Sequence, residues 1–337
     1  MSDPNITHNN HYVPQFYLQS WSEDDLHLYQ YSLLVPDSRI PYWKRNSIKY
    51  TAKWNDFYTR LVGDKEADDF EKWFNTEFET PAEPIIRKLI DDEIITTKES
   101  ATLSRFIAAQ HLRTPAKAGK IIANLKELVP NIIKETHKRL NTDPIPKATS
   151  ENSPELDSFP LKVTFDKETK TITTGTVIGR SMYLYALKYL LTNTARVMDN
   201  YYWQVIDAAD GISFPTSDDP VICLNYISEN NYDFGGVWGR KHGNIIFPIS
   251  PTKLLFTEIG STQPALGLNR SPHWSQFFRK ILIEHAYRYV YAIKPQKGML
   301  AIRPRMVDRT LYLEEQENLA NWHHEQISAE QALKEST

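Results

Sequence analysis

The chain has 337 residues and a formal net charge of −3, with 41% hydrophobic and 24% charged residues, which is typical of folded globular proteins. The small net charge gives no general attraction to nucleic acid or anionic membranes. The single cysteine excludes an intrachain disulfide and a cysteine-rich metal site, and no segment approaches the roughly 18–20 apolar residues of a membrane span. We therefore expect a cytoplasmic protein without membrane contact.

Secondary structure changes character several times along the chain. Alternating and aromatic segments predict strands, whereas apolar residues spaced three and four apart predict helices. In chain order, the sequence predicts strands over 12–58, helices over 64–142, an exposed Pro/Ser/Asn-rich loop at 141–160, a strand pair over 161–175, a helix over 178–199, strands over 200–260, a helix over 272–291 and a C-terminal helix over 314–337.

This order of elements predicts an α+β fold. A mainly antiparallel sheet would be formed from the N-terminal and C-terminal parts of the chain, with the helical block at about 64–142 inserted between them. Residues 1–313 would then form a single domain, followed by a C-terminal helix or tail at 314–337.

The segment HNNHYVPQFYLQSW, residues 8–21, places two histidines among aromatic residues. Val13-Pro14 favours an extended backbone, so His8 and His11 do not share a helix face and a metal-binding pair is a weak hypothesis. We expect His11 alone to face a cleft, where its imidazole serves as acid, base or phosphate donor. The alternative is a histidine hydrogen-bonded within an aromatic core.

The first predicted helix, around FEKWFNTEFE at 70–79, has an aromatic stripe with a polar edge beside it. Glu71 and Glu79 are eight residues apart and therefore point within about 80° of each other. Glu79 precedes Pro81, where the helix is expected to bend. The alternative is a helix face in contact with water.

The segment FPTSDDPVICLNY, residues 214–226, enters an apolar strand through two adjacent carboxylates. Asp218 and Asp219 point to opposite sides of an extended chain, so one of them can face a given pocket. The alternative is a turn whose carboxylate accepts backbone N–H groups. Cys223 lies in the apolar strand and is predicted to be a core residue.

Basic residues concentrate in two segments. Residues 101–147 carry nine basic and three acidic side chains, and residues 294–309 carry five basic and one acidic. Together they predict a face for an anion or a nucleic acid. The alternative is that they neutralise the acidic helices at 64–93 and 314–335.

Seven segments of the chain, in order, resemble a bacterial family known as domain of unknown function 4238. They are HYVPQFYLQSW, WNDFYT, FEKWFNTEFE, RFIAAQHLRTP, FPTSDDPV, FPISPTKLLF and HAYRYVYA. The resemblance covers residues 11–293 and implies that separated polar residues belong to one fold and share one pocket. The motif positions are His11, Gln15, Glu79, Arg113, Ser217, Asp218 and Pro220, and Asp219 stands where the family usually has asparagine.

These residues support a hypothesis of hydrolysis, of the nuclease or phosphodiesterase kind. His11, Glu79 and Asp218 would be catalytic, with Glu79 and Asp218 also holding a divalent cation. Gln15, Arg113 and Ser217 would bind an anionic or nucleic-acid substrate. The alternative is a non-catalytic binding protein in which the motif residues form a buried hydrogen-bonded network.

Overall fold

The computed structural model describes residues 6–62, 65–142, 160–166, 169 and 171–335. The α+β fold is confirmed, because helices and antiparallel sheets occupy different segments of the chain. Within the described ranges, no helix combines the length and apolar character needed to cross a membrane. The predicted loop at 141–160 lies almost entirely outside the described residues.

The α-helices of the described chain comprise one short N-terminal helix, a central block of four and four later helices. The α-helices are α1 (Gln15–Leu18), α2 (Asp69–Phe74), α3 (Thr80–Ile90), α4 (Thr97–Leu112), α5 (Pro115–Thr142), α6 (Arg180–Thr192), α7 (Pro272–His285), α8 (Met299–Ile302) and α9 (Arg309–Glu335). A π-helical turn, Asn75–Glu79, joins α2 to α3. The helical block begins at Asp69 rather than at residue 64, because 65–67 pairs with 60–62 as a strand.

The strands of the described chain have two to seven residues, and both strands of seven residues follow residue 200. They are β1 (Asn9–His11), β2 (His27–Ser32), β3 (Leu34–Val35), β4 (Trp43–Ser47), β5 (Lys53–Asn55), β6 (Arg60–Val62), β7 (Lys65–Ala67), β8 (Leu161–Asp166), β9 (Thr171–Thr176), β10 (Gln204–Asp207), β11 (Thr216–Ser217), β12 (Ile222–Ser228), β13 (Asn231–Asp233), β14 (Asn244–Ser250), β15 (Lys253–Glu258), β16 (Tyr289–Ala292) and β17 (Met306–Val307).

The largest sheet has the strand order β10-β15-β14-β12-β13 and contains only strands from the C-terminal part. Successive side chains of a strand point to opposite faces. In β14, Ile245 and Phe247 therefore join the core that includes the helical block, whereas Ile246 packs in the core formed with α7. Both faces are buried, which explains the nearly continuous apolar sequence of this strand.

A four-stranded sheet, ordered β11-β16-β2-β4, joins the N-terminal and C-terminal parts of the chain as predicted. The prediction of one helix over 272–291 is wrong beyond His285. Ala286 is extended, with φ −50° and ψ 138°, and the next two backbone N–H groups donate to the Asp218 carboxylate at 2.9 and 2.7 Å. Because that carboxylate takes N–H groups that a helix would use, the chain leaves the helix and forms β16.

The C-terminal helix α9 is held against the rest of the chain by polar contacts. The buried Arg180 donates to Glu330 at 2.9 Å and to Nδ1 of His323 at 2.9 Å. His323 in turn donates from Nε2 to Glu66 at 2.8 Å. The Trp54 indole N–H donates to a backbone carbonyl of α9 at 3.2 Å. The division into residues 1–313 and 314–337 stays a prediction.

Candidate functional site

His11 ends strand β1 and lines a cleft beside helix α2. Its Nε2 atom lies 3.2 Å from the carbonyl oxygen of Lys49. A carbonyl can only accept, so we assign the proton to Nε2 and leave Nδ1 as an acceptor. Burial lowers the pKa of this imidazole, although the hydrogen bond to Lys49 acts in the opposite direction. His11 is therefore neutral at neutral pH and can take up a proton.

Glu79 is the last residue of the π-helical turn and lines the same cleft. Its Oε1 atom accepts from Nη1 of Arg113 at 2.6 Å, and the side chain remains 19% exposed. A π-helical turn spans more residues than an α-helical turn, so it rotates less per residue. This reduces the angle of about 80° that regular α-helical spacing would leave between Glu71 and Glu79.

Glu71 is the most unusual group in the cleft. Burial raises the pKa of its carboxyl to about 7, against the effect of the nearby Arg113. Its Oε2 atom is buried, and the described residues offer that atom no hydrogen-bond partner. Sequence spacing identifies Glu71 only as the helical neighbour of Glu79, because the burial of a carboxyl group cannot be predicted from local spacing.

The cleft formed by these side chains has a volume of about 400 Å³ and is open to solvent. We call it the acidic cleft; its polar lining includes His11, Gln15, Glu71, Asn75, Glu79 and Glu83. Lys72 also lines it but pairs with Asp68 at 2.7 Å. Of the three carboxyl groups that line the cleft, Glu79 is paired with Arg113 and Glu83 with Arg87, each at 2.6 Å. The excess of negative charge in the acidic cleft therefore comes from Glu71 when its carboxyl is ionised.

Arg113 lies behind the acidic cleft and is only 1% exposed. Its guanidinium donates to the carbonyls of Tyr12 and His11 at 3.1 and 3.0 Å, in addition to Glu79. It also stacks on Phe74, with the guanidinium carbon 5.1 Å from the ring centre. These contacts tie β1 to α2 and α4, which favours the buried-network alternative for Arg113 over contact with a substrate.

Ser217 and Asp218 lie away from the acidic cleft. Asp218 is 2% exposed and accepts the backbone N–H groups of Tyr287 and Arg288, as described above. Burial raises the pKa of its carboxyl to about 7, while these hydrogen bonds act to lower it. Ser217 Oγ accepts the backbone N–H of Asp219 at 3.2 Å. Ser217 therefore organises the local turn, whereas the Asp218 carboxylate holds the backbone of a distant segment instead of its own turn.

Asp218 lines a second cleft, of about 310 Å³, under helix α9. We call it the aromatic cleft; its aromatic lining is Tyr12, Trp54, Phe57, Tyr287, Tyr289 and Trp322. Glu79 and Asp218 thus line different clefts, which does not support a cation shared by these two carboxylates. Among the described residues, no three His, Cys, Asp or Glu side chains are grouped to hold a metal ion.

Asp219 contributes to a buried polar cluster that the sequence did not reveal. Thr114 donates to its carboxylate at 3.0 Å, while Lys117 and His285 each lie 3.7 Å from it. Three separate segments meet here, so no local spacing could have identified the cluster.

Cys223 is 2% exposed, and burial raises the pKa of its thiol to about 12. The sulfur lies 3.7 Å from Nε2 of His111, a residue 112 positions away in the chain. The raised pKa keeps the thiol protonated, which agrees with its predicted place in the core.

The basic residues of the described part of the basic segment, 101–142, do not line the acidic cleft. Arg113 and Lys117 are buried and paired with carboxylates, whereas Lys120, Lys126 and Lys134 are exposed on α5. The part of the basic segment beyond residue 142 lies outside the described residues. The acidic cleft and the exposed basic surface of α5 are therefore separate features.

Comparison with known proteins agrees with the resemblance of the motifs. No curated protein and no solved structure matches the chain significantly. A family match covers residues 9–295, and that family is described as "Protein of unknown function (DUF4238)". The matched range includes the acidic and aromatic clefts except for Thr7 and the contribution of α9. Because the match extends over most of the 337 residues, the chain belongs to the DUF4238 family.

Proposed function

We propose that the protein is a hydrolase whose active site is the acidic cleft. The observation that carries this proposal is Glu71, which has a buried, unpartnered Oε2 atom in the wall of a cleft open to solvent. Buried polar atoms in native proteins are nearly always paired, and each exception requires an explanation such as a ligand, a water molecule or a chemical role. A polar substrate group in the cleft would supply the partner of Glu71.

Glu71, His11 and Glu79 have different roles in the proposed acid–base catalysis. Glu71 donates a proton to the leaving group, because a carboxyl with a pKa of about 7 is partly protonated at neutral pH. His11 is neutral and accepts on Nδ1 a proton from the attacking water, whose oxygen bonds to the scissile carbon as the bond to the leaving group breaks. Glu79, ion-paired with Arg113, contributes a fixed negative charge beside positive charge that develops in the transition state.

The charge of the acidic cleft bears on the substrate. A nuclease or phosphodiesterase would bring a phosphodiester against several carboxyl groups, so this form of the proposal requires a divalent cation next to Glu71 and Glu79. An uncharged substrate, such as a glycoside or a carboxylic ester, meets no such repulsion. We therefore favour an uncharged substrate.

We also propose a cytoplasmic location, which the lack of any possible intrachain disulfide supports.

The test is hydrolysis of p-nitrophenyl glycosides, p-nitrophenyl esters and bis(p-nitrophenyl) phosphate, the last with and without Mg²⁺ or Mn²⁺. In the Glu71→Gln variant we expect the rate to fall by about 10²–10⁴-fold, the usual contribution of a general acid. Glu77→Gln is the matched control, because Glu77 is exposed on the same helical segment and does not line the cleft. Full activity of Glu71→Gln, or hydrolysis of none of these substrates, would contradict the proposal.

A non-catalytic binding protein is the second candidate, and the contacts of Arg113 favour it. Three guanidinium nitrogens donate hydrogen bonds to the carbonyls of Tyr12 and His11 and to Glu79, which is typical of a buried network. His11→Ala separates the two candidates. A large drop in melting temperature supports a structural network, whereas unchanged melting with loss of hydrolysis supports catalysis.

A further inference from the structure

An open cleft of about 750 Å³ lies between helix α7, the loop at 211–213 and the segment that leads into α8. We call it the basic cleft; its charged and amide lining includes Glu229, His273, Arg279, Lys280, Gln296 and Lys297. It shares no lining residue with the acidic cleft. Its volume lies in the range of small-molecule sites. Part of its wall is the second basic segment of the sequence, at 294–309.

Arg279 is the central residue of the basic cleft. Its Nε atom donates to Oε1 of Gln296 at 3.0 Å, and Nη2 donates to the carbonyl oxygen of Lys297 at 2.7 Å. Both acceptors are neutral, and within the described chain no carboxylate forms an ion pair with this guanidinium. By contrast, Arg113 and Arg180 are fully buried and each is paired with a glutamate.

A partly buried guanidinium without a counterion loses hydration and gains little in return. Arg279 is half-buried, and burial lowers its pKa, with no carboxylate acting in the opposite direction. Gln296 is itself held in place, because its amide donates to the carbonyl of Ser213 at 3.2 Å. The guanidinium is therefore fixed in position while its charge is left uncompensated.

Among the other charges of the basic cleft, that of Lys297 adds most to this positive field. Lys297 is exposed and forms no ion pair with any described residue. Lys280 lies 3.7 Å from Glu284. Among the described residues that line the cleft, Glu229 is the one carboxylate, and it is paired with His273. The net charge at this surface therefore favours an anion.

We propose that the basic cleft binds a small phosphorylated molecule, with its phosphate group on Arg279 and Lys297. Guanidinium groups hold phosphate oxygens through strong, directional hydrogen bonds, and an ammonium group adds a compact positive charge. The phosphate supplies the counterion that Arg279 lacks. Beside the phosphate, the cleft has room for an organic group of about nucleotide size.

The experiment is isothermal titration calorimetry of the full-length protein with inorganic phosphate, ribose 5-phosphate and adenosine monophosphate, at constant ionic strength. We expect heat of binding from at least one of the three. Equal affinity for all three identifies a phosphate site, and tighter binding of an organic phosphate identifies a site for the whole molecule. Either result supports the proposal.

Arg279→Gln should weaken binding by about tenfold or more, as expected for loss of a charged hydrogen-bond partner. Lys297→Gln, at an exposed position, tests the site without risk to folding. Lys294→Gln is the matched control, because Lys294 is exposed, pairs with Glu23 and does not line the cleft. Binding of none of the three molecules, or unchanged binding in both Arg279→Gln and Lys297→Gln, would overturn the proposal. So would binding confined to an oligonucleotide, used as a fourth titrant.

Discussion

Replacement of Arg113 by methionine tests whether the position of β1 depends on one buried guanidinium. The variant removes donors to two carbonyls and to Glu79, at distances of 2.6–3.1 Å. Loss of one partner from a buried ion pair costs about 3–5 kcal/mol. Glu79 keeps some contact with water, so we expect a loss of about 3 kcal/mol in the free energy of unfolding, a large share of a typical stability of about 5–15 kcal/mol.

Urea unfolding followed by tryptophan fluorescence measures this loss, since the chain has eight tryptophans. Arg105→Met is the control on the same helix, because Arg105 is exposed and lies over the ring of Phe78 at 5.6 Å. We expect the control to cost about 0.5 kcal/mol or less. The double variant Arg113→Met/Glu79→Gln should lose less free energy of unfolding than the two single variants lose together, because it leaves no unpaired carboxylate. If Arg113→Met and Arg105→Met unfold at the same urea concentration, the reasoning fails.

Three further predictions concern pH, backbone contact and the C-terminal helix. The pKa of Glu71 is raised from 4.5 to about 7, so the folded state binds this proton more tightly than the unfolded state and loses stability as pH rises from 4.5 to 7. Glu71→Gln carries no such proton and should therefore gain stability relative to the wild type over this pH range. A difference in urea midpoints between the two proteins that does not change with pH would contradict this. Gly236→Ala places a Cβ atom 2.7 Å from the backbone of Cys223 and should lower the melting temperature. Gly119 lies inside helix α5, and a Cβ atom added there has no neighbour within 4 Å. Gly119→Ala should therefore raise the melting temperature, by an amount equivalent to about 0.5–1 kcal/mol. Arg180→Met should speed hydrogen exchange in α9 and leave the five-stranded sheet protected, and equal protection of α9 in both proteins would refute its anchoring role.

Local patterns in the sequence were sufficient for the general architecture. The aromatic spacing of 70–79 predicts a buried helical face, and Phe70, Phe74 and Phe78 are all buried. The alternation in 26–35 predicts strands, and β2 and β3 form there. These predictions succeed because burial of one face imposes a repeat of 3.6 or 2 residues on neighbouring positions of the chain.

The site depended on contacts that no local pattern encodes. Asp218 accepts the backbone N–H groups of Tyr287 and Arg288, about 70 residues away, and thereby ends helix α7 before residue 291, where the sequence predicts its end. The π-helical turn that ends at Glu79 and the burial of the Glu71 Oε2 atom are likewise consequences of packing. The sequence alone determined which polar residues were available and which elements carried them. Only the tertiary structure decided that the Oε2 atom of Glu71 has no partner among the described residues while the guanidinium of Arg113 has three, because burial and pairing arise from segments brought together by folding.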